Sequence, residues 1–451
     1  MMRQENELPR VLRASHATSI VVGIIIGSGI FLVPREMMAA VGSSKLVYVV
    51  WIVGGMLSLF GSMTYAELAA NRPRYGGDYA FLKEAYGDLT GFLYMWTQVA
   101  IAKPASLATI AAGLARVLAT FAVLSFFEQP AFAHLLWGQL FAIAVTWLIT
   151  GLNILGTRKS GNVQLALTWL KGILIVGIAG FCFAAAGNHG SWHNFATEFS
   201  GASGGMAGFM IALTAALWAY DGWSDVVQLA GEVQNPQRSM PVALVGGIAI
   251  VGALYMLTNA AIQYVLPATA IAGSFRPAAD AMRVVAGDWG SGLVSIGMAV
   301  SIAATFVGSS LSGARVPFAA ARDGLFFNKL AEVSPRFQTP AAALVLQAVL
   351  TTLLLLAIGR FQALFSLAIF SEWLFYALTA STVFVFRHRE PDSPRPFSVP
   401  GYPMVPVLFI IAAAVLLAFS FHDQPRNSLL GTIVILLGIP FHYLLQWRRT
   451  N

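Results

Sequence analysis

Residues 14–34 separate Arg13 from Arg35 without a charged side chain, and residues 46–66 do the same between Lys45 and Glu67. Runs of this kind constrain the fold more than any other feature of the sequence. A helix crossing a bilayer needs about 20 mostly apolar residues, because hydrocarbon offers its backbone no water to bond. The runs recur to the C-terminus and predict twelve spans: 16–40, 46–69, 89–120, 135–155, 161–186, 204–232, 239–265, 287–320, 340–359, 361–386, 404–421 and 427–447. Charged residues are 10% of the chain, against about 25% in soluble domains, too few to cover a water-exposed surface. The expectation is an all-α integral membrane protein with short connections and no soluble domain between them.

Lys and Arg in the loops set the orientation. With the N-terminus in the cytoplasm, 18 of the 27 face the cytoplasm and seven face outside, while Lys103 and Lys171 fall within spans. Both termini are then cytoplasmic, and the net charge of +7 reflects topology rather than a nucleic-acid partner. The polar start, MMRQENELPRVLR, predicts no cleavable signal. The single cysteine, Cys182, excludes an internal disulfide and a cysteine metal cluster. The histidines lie near span ends or in loops and form no metal-ligand pattern. No cofactor is expected. There is no His-Glu-x-x-His, no phosphate-binding loop with its Lys and no nucleophile elbow, so no enzyme reading stands.

Two spans carry features that a straight helix would not. Span 1 reads GIIIGSGIF, with Gly23, Gly27 and Gly29 around Ser28. Clustered small residues serve close helix packing, or else an unwound stretch whose freed backbone groups line a cavity. Span 6 reads LWAYDGWSDVVQLAGE, with Asp221-Gly222 at mid-span and Asp225 one turn later. An intramembrane carboxylate is by default functional, and Asp221 is equally suited to capping a second half-helix. Broken helices at matching positions of two oppositely oriented five-helix halves mark an inverted-repeat carrier. The halves share no visible sequence identity, so the repeat rests on topology. This predicts a ten-helix core over 16–386, a 1–15 tail, a 387–403 cytoplasmic loop, helices 11 and 12 over 404–447, and a 448–451 terminus. The N–H groups of Ser28 and Gly29, at the start of a half-helix, suit a carboxylate. The carbonyls of Ile25, Trp218 and Asp221 suit an ammonium group. Together they select an α-amino acid, with Gly27, Ala219, Gly222 and Ser224 completing the candidate substrate site.

Five segments, GIIIGSGIF, YAELAANRPRYGGDYAFL, YDGWSDVVQLAGEVQNPQRSMP, ARVPFAAARDG and RPFSVPGYPMVP, resemble the amino acid–polyamine–organocation superfamily, in order and spacing over roughly 15–410. Within it the chain looks most like a bacterial member of the L-amino-acid transporter family. The resemblance implies a carrier in the bacterial inner membrane that takes amino acids. It implies Trp218 as an aromatic gate, Lys171 and Ser309 at the place where related carriers bind a cation, and Lys103-Pro104-Ala105-Ser106 as a basic-Pro turn in span 3. Ser224 and Glu372 stand where the family often has Asn, and this bears on side-chain specificity. Animal members pair with a glycoprotein through a cysteine in the span 3–4 loop; none lies at 120–135 here, so no disulfide-linked accessory subunit is expected.

Several residues keep two readings. Lys171 is too deep in its span to reach an interface easily and is expected inside the bundle, paired with span 1 carbonyls near 23–27 and with the Ser309 hydroxyl. Such a fixed charge predicts transport without sodium. Glu372 serves a structural pair, a proton or a cationic substrate. Lys103 serves charge or the local geometry at Pro104. Asp225 and Glu232 are expected at gate or loop contacts, and Arg315 and Arg322 as solvated cytoplasmic residues. The function expected is sodium-independent exchange of neutral L-α-amino acids. A proton-coupled symporter of amino acids or amines is the alternative, and a channel the reading from another class.

Overall fold

The apolar runs become helices. The computed structural model of the chain describes residues 8–27, 29–132, 135–357, 361–423 and 425–450; Ser28 lies outside them. In chain order the helices are α1 (Ala14–Ile25), α2 (Gly29–Val41), α3 (Ser44–Asn71), α4 (Asp78–Tyr86), α5 (Asp88–Thr97), α6 (Lys103–Leu118), α7 (Trp137–Ile154), α8 (Thr157–Ala185) and α9 (Gly205–Ala219). They continue with α10 (Pro236–Pro241), α11 (Gly247–Val265), α12 (Ala268–Gly273), α13 (Pro277–Gly313), α14 (Arg315–Arg322), α15 (Ala341–Ala357), α16 (Phe361–Arg389), α17 (Met404–Asp423) and α18 (Pro425–Thr450). Among the described residues eight stretches are long and apolar enough to cross a bilayer, and α1 with α2 passes the same test as one span bent by 42°. The chain is a multi-pass membrane protein.

The departures from regular helix follow from local chemistry. Span 6 splits into α9 and a 3₁₀ run, Trp223–Glu232, because Gly222 adopts φ +105°; a side chain there would also run into Ile24. Two π-turns, Gln98–Ala102 and Val242–Gly246, adjoin Pro104 and Pro241, where a missing N–H disturbs the i→i−4 ladder. The expected all-helical chain also contains one small hairpin, β1 (Pro130–Phe132) with β2 (Leu135–Leu136), between α6 and α7.

Packing places the breaks at the centre. α13 lies against α8 and α6, α1 against α8 and α13, and α2 against α9. α17 covers α16 and α3, and α18 covers α5 and α16. The main core combines the inner faces of α1, α2, α3, α9 and α11, whereas the outer faces of α8 and α18 present Trp169, Ile173, Leu436 and Leu437 to the surroundings, as a lipid solvent requires.

Candidate substrate site

A cavity of about 120 Å³ lies where both spans break. Of the sequence-selected residues, Ile25, Gly27, Gly29, Lys103, Trp218, Ala219, Asp221, Gly222, Ser309 and Glu372 line it, joined by Asp225. Ser224 does not. It is buried behind the wall, its hydroxyl donating to Tyr376 Oη at 3.0 Å, and Tyr376 in turn donates to Asp221 Oδ1 at 3.0 Å. Ser28 lies outside the described residues.

The unwound carbonyls of span 1 are held from three sides. Lys171 is buried, and its Nζ donates to the carbonyls of Gly23 (2.8 Å), Ile26 (2.6 Å) and Ser301 (3.1 Å). An ammonium has three donors, and three carbonyls take them. Ser301 Oγ donates to Ile26 O at 2.6 Å and Gly27 O at 3.1 Å, and Thr305 Oγ1 donates to Gly23 O at 3.1 Å. Tyr255, fully buried, donates to Ile25 O at 3.0 Å and to Ala219 O at 2.6 Å. One phenol thus ties together the C-terminal ends of α1 and α9. The Ile25 carbonyl retains a second lone pair.

Ser309 corrects an expectation. It is not a partner of Lys171, since its Oγ accepts from Lys103 Nζ at 3.2 Å. Ser301, Thr305 and Ser309 share one face of α13 at four-residue spacing, and the 1.5 Å rise per residue sets Ser309 two turns beyond the Lys171 ammonium. The one face therefore serves two lysines. Lys103 Nζ also bonds both oxygens of Asp225, at 2.6 and 2.8 Å, in a buried pair. Lys103 thus carries charge at the cavity wall besides its place before Pro104. Glu372 faces Asp221 across the span 6 break.

Arg315 is a second correction. Expected to be solvated, it is fully buried, donating to Glu232 (2.7 and 3.0 Å), to Thr157 Oγ1 (2.8 Å) and to Leu311 O (2.6 Å). The sequence placed it at the cytoplasmic end of span 8, where the helix runs on out of the membrane. That position reads as solvent unless a buried carboxylate from another element meets it, and here Glu232 does.

Sequence reasoning also missed Tyr255, Tyr376, Ser301, Thr109 and Thr305. A tyrosine or hydroxyl residue on an apolar span is ordinary, so only its partner's position marks it. Thr109 lines the cavity, and its buried hydroxyl has no hydrogen-bond partner among the described residues. At Gly29 an added Cβ would meet Ala219 and Trp218 at 3.3–3.5 Å, so its smallness serves the contact between α2 and α9.

A cavity lined by residues from both interrupted membrane helices is the arrangement of a membrane carrier. The comparisons agree. The chain matches the amino acid permease family over residues 12–439 and belongs to that family, within the amino acid–polyamine–organocation superfamily. It is 32% identical over 460 residues to the serine/threonine exchanger SteT of Bacillus subtilis (strain 168), covering 100% of both chains. It is 30% identical over 444 residues to the human cystine/glutamate transporter, covering 98% of this chain and 86% of that one. It is also 30% identical over 432 residues to the mouse b(0,+)-type amino acid transporter 1, covering 94% and 85%. The family and these relatives are transporters, not enzymes.

Proposed function

We propose that the chain exchanges neutral L-α-amino acids by alternating access and without sodium, as a secondary carrier in a bacterial inner membrane. It has twelve spans and both termini cytoplasmic. Spans 1–10, residues 16–386, form a 5+5 inverted repeat, and spans 11 and 12, residues 404–447, flank it. The observation that carries this reading is the meeting of both helix breaks at one cavity, with the span 1 carbonyls held by the Lys171 ammonium rather than left for a metal ion. The substrate carboxylate docks at the start of α2, by the N–H groups of Ser28 and Gly29. Its ammonium takes the remaining lone pairs of the Ile25, Trp218 and Asp221 carbonyls. Trp218, at the end of α9, closes over the ligand.

Neutral side chains fit the rest of the wall. Lys103 is neutralised by Asp225, and Ser106, Thr109 and Thr305 offer hydroxyls beside Ile24, Ile110 and Ile302. Serine and threonine, named for the Bacillus relative, are the first substrates to try. Cys182 is buried against Met282, which supports working without a disulfide-linked accessory subunit.

Asp221 and Glu372, facing each other at the cavity, favour a second reading, proton-coupled uptake of amino acids or amines. Counterflow in proteoliposomes separates the two. An exchanger shows saturable trans-stimulation by internal amino acid and no response to an imposed pH gradient, whereas a symporter accumulates substrate on the gradient alone. A channel shows neither. Blocking the carboxylate as an amide, or the amine by acylation, abolishes competition; equal competition by both blocked forms refutes the site. Loss of transport when choline replaces sodium refutes the role of Lys171.

A further inference from the structure

A second cavity, of about 350 Å³, opens where the N-terminal ends of α1 and α8 meet, apart from the substrate site. Its wall carries Arg13, Ser15, His16, Arg158, Asn162 and Gln234, and no carboxylate lines it among the described residues. Arg13 and Arg158 are exposed, and neither forms an ion pair among the described residues. Two unpaired guanidiniums on one concave wall repel each other unless an anion lies between them.

The neutral groups point the same way. His16 is buried, and its Nδ1 accepts the Arg13 backbone N–H at 3.1 Å. The ring proton therefore sits on Nε2, which donates to Asn162 Oδ1 at 2.9 Å. Beside its engaged oxygen, Asn162 keeps two amide N–H donors. The first turn of α8 starts from Gly156 with no side-chain cap, so its free N–H groups add to the positive end of that helix. The wall therefore combines forked cations with neutral donors, the chemistry that holds a phosphate oxygen set.

We propose that this cavity binds a phosphate-bearing anion, supplied as the headgroup of an acidic phospholipid at the membrane face where the N-terminus lies. The position favours a lipid source. The cavity sits at the ends of two spans, where the apolar runs begin, and Val11 and Leu165 extend its wall as apolar surface; basic pockets of this kind between membrane helices take lipid headgroups. An anion bridging Arg13 and Arg158 would join the first half of broken span 1 to α8, the helix that carries Lys171. The headgroup would thereby bias the arrangement of the half-helix that presents Ile25 to the substrate.

The test uses the full chain in vesicles of phosphatidylcholine, alone or with about one quarter phosphatidylglycerol, and a third set of phosphatidylcholine vesicles loaded with glycerol phosphate. The native protein exchanges amino acid about three- to tenfold faster with phosphatidylglycerol, and native mass spectrometry finds that lipid retained. Arg13→Gln/Arg158→Gln keeps the phosphatidylcholine rate, loses the stimulation and releases the lipid. Arg13→Lys/Arg158→Lys keeps most of the stimulation, which shows that charge and not folding is at issue. An undiminished response in the double Gln variant, or a native rate indifferent to lipid composition, overturns the site. Stimulation by glycerol phosphate alone overturns the lipid source.

Discussion

A membrane interior makes single polar groups expensive, so a buried one with defined partners states what it holds. Tyr255 is the plainest case. Its hydroxyl is the only atom among the described residues that bonds the C-terminal ends of both α1 and α9. Tyr255→Phe keeps the ring packing against Trp51 and Tyr220 and removes only the one O–H that the two carbonyls share, worth about 1 kcal/mol. The protein should purify as a monodisperse species while its affinity for substrate falls about tenfold. Binding measured by scintillation proximity decides this, and native affinity would mean that the half-helix ends hold themselves. Lys171→Ala takes a donor from three carbonyls at once. It should cost more affinity than Tyr255→Phe and upset the balance between inward- and outward-open forms, seen as unequal apparent affinities on the two sides. Gly29 separates two accounts of smallness. Gly29→Ala meets neighbours at 3.3–3.5 Å that yield by a few tenths of an ångström and should retain binding, whereas Gly29→Val should lose it with insertion intact.

At the scale of elements, α4 shows how a short connection closes a face. It lies outside the spans, between α3 and α5, and buries Asp78 completely. Burial pushes that carboxyl up from 3.8 to about 6, against the bond that Tyr65 Oη donates to its Oδ1 at 2.6 Å. The folded state therefore prefers the protonated form. Its stabilising contribution is complete below pH 3.8, declines as pH rises to about 6, and is absent above, a span of about 3 kcal/mol. Thermal unfolding in detergent should show this decline in the native protein and a flatter profile in Asp78→Asn; parallel profiles would place the titration elsewhere. The legibility of the sequence divides along the same scale. Helix positions, the two breaks and the depth of Lys171 are visible in one dimension, because glycine clusters and buried charges violate the apolar rule within a single element. The partners are not visible. Which residue of α13 meets Lys171, here Ser301 through its carbonyl, depends on the rotation and height of α8 against α13, and the pairing of Arg315 with Glu232 joins residues 83 apart in the chain. Ser224 likewise follows Trp223 in sequence, and the 3₁₀ geometry after Gly222 turns it to Tyr376 rather than to the cavity.

Taken whole, the molecule is sealed between the cavity and the face that carries the N-terminus. Below Asp225, Gln228 approaches Tyr94 Oη at 3.4 Å, then Glu232 pairs with Arg315 at zero exposure. Beyond these, the Leu12 N–H donates to Glu232 O, the Gln234 N–H to Leu12 O, and Tyr75 Oη to Leu8 O. The Gln228, Glu232 and Leu8 contacts join the 3₁₀ half of span 6, or the segment before α1, to Tyr94, Arg315 and Tyr75, whereas the Leu12 bonds join those two segments to each other. In the alternating access proposed above these layers would part, and the Glu232–Arg315 pair is the one whose parting exposes charge. Removing one member, as in Arg315→Ala, leaves an unpaired buried carboxylate and should destabilise the protein by about 3–5 kcal/mol. Replacing both, as in Glu232→Gln/Arg315→Met, removes the uncompensated charge and should restore most of that loss while weakening the seal. In a Cys182→Ala background with Gln228→Cys, a membrane-impermeant thiol reagent applied to the N-terminal face should then label position 228 several times faster than it does with the pair intact, and saturating substrate should alter the rate. If labelling is equally slow in both backgrounds, the seal belongs to the Leu12 strap and the Tyr94 layer, and the ion pair is structural.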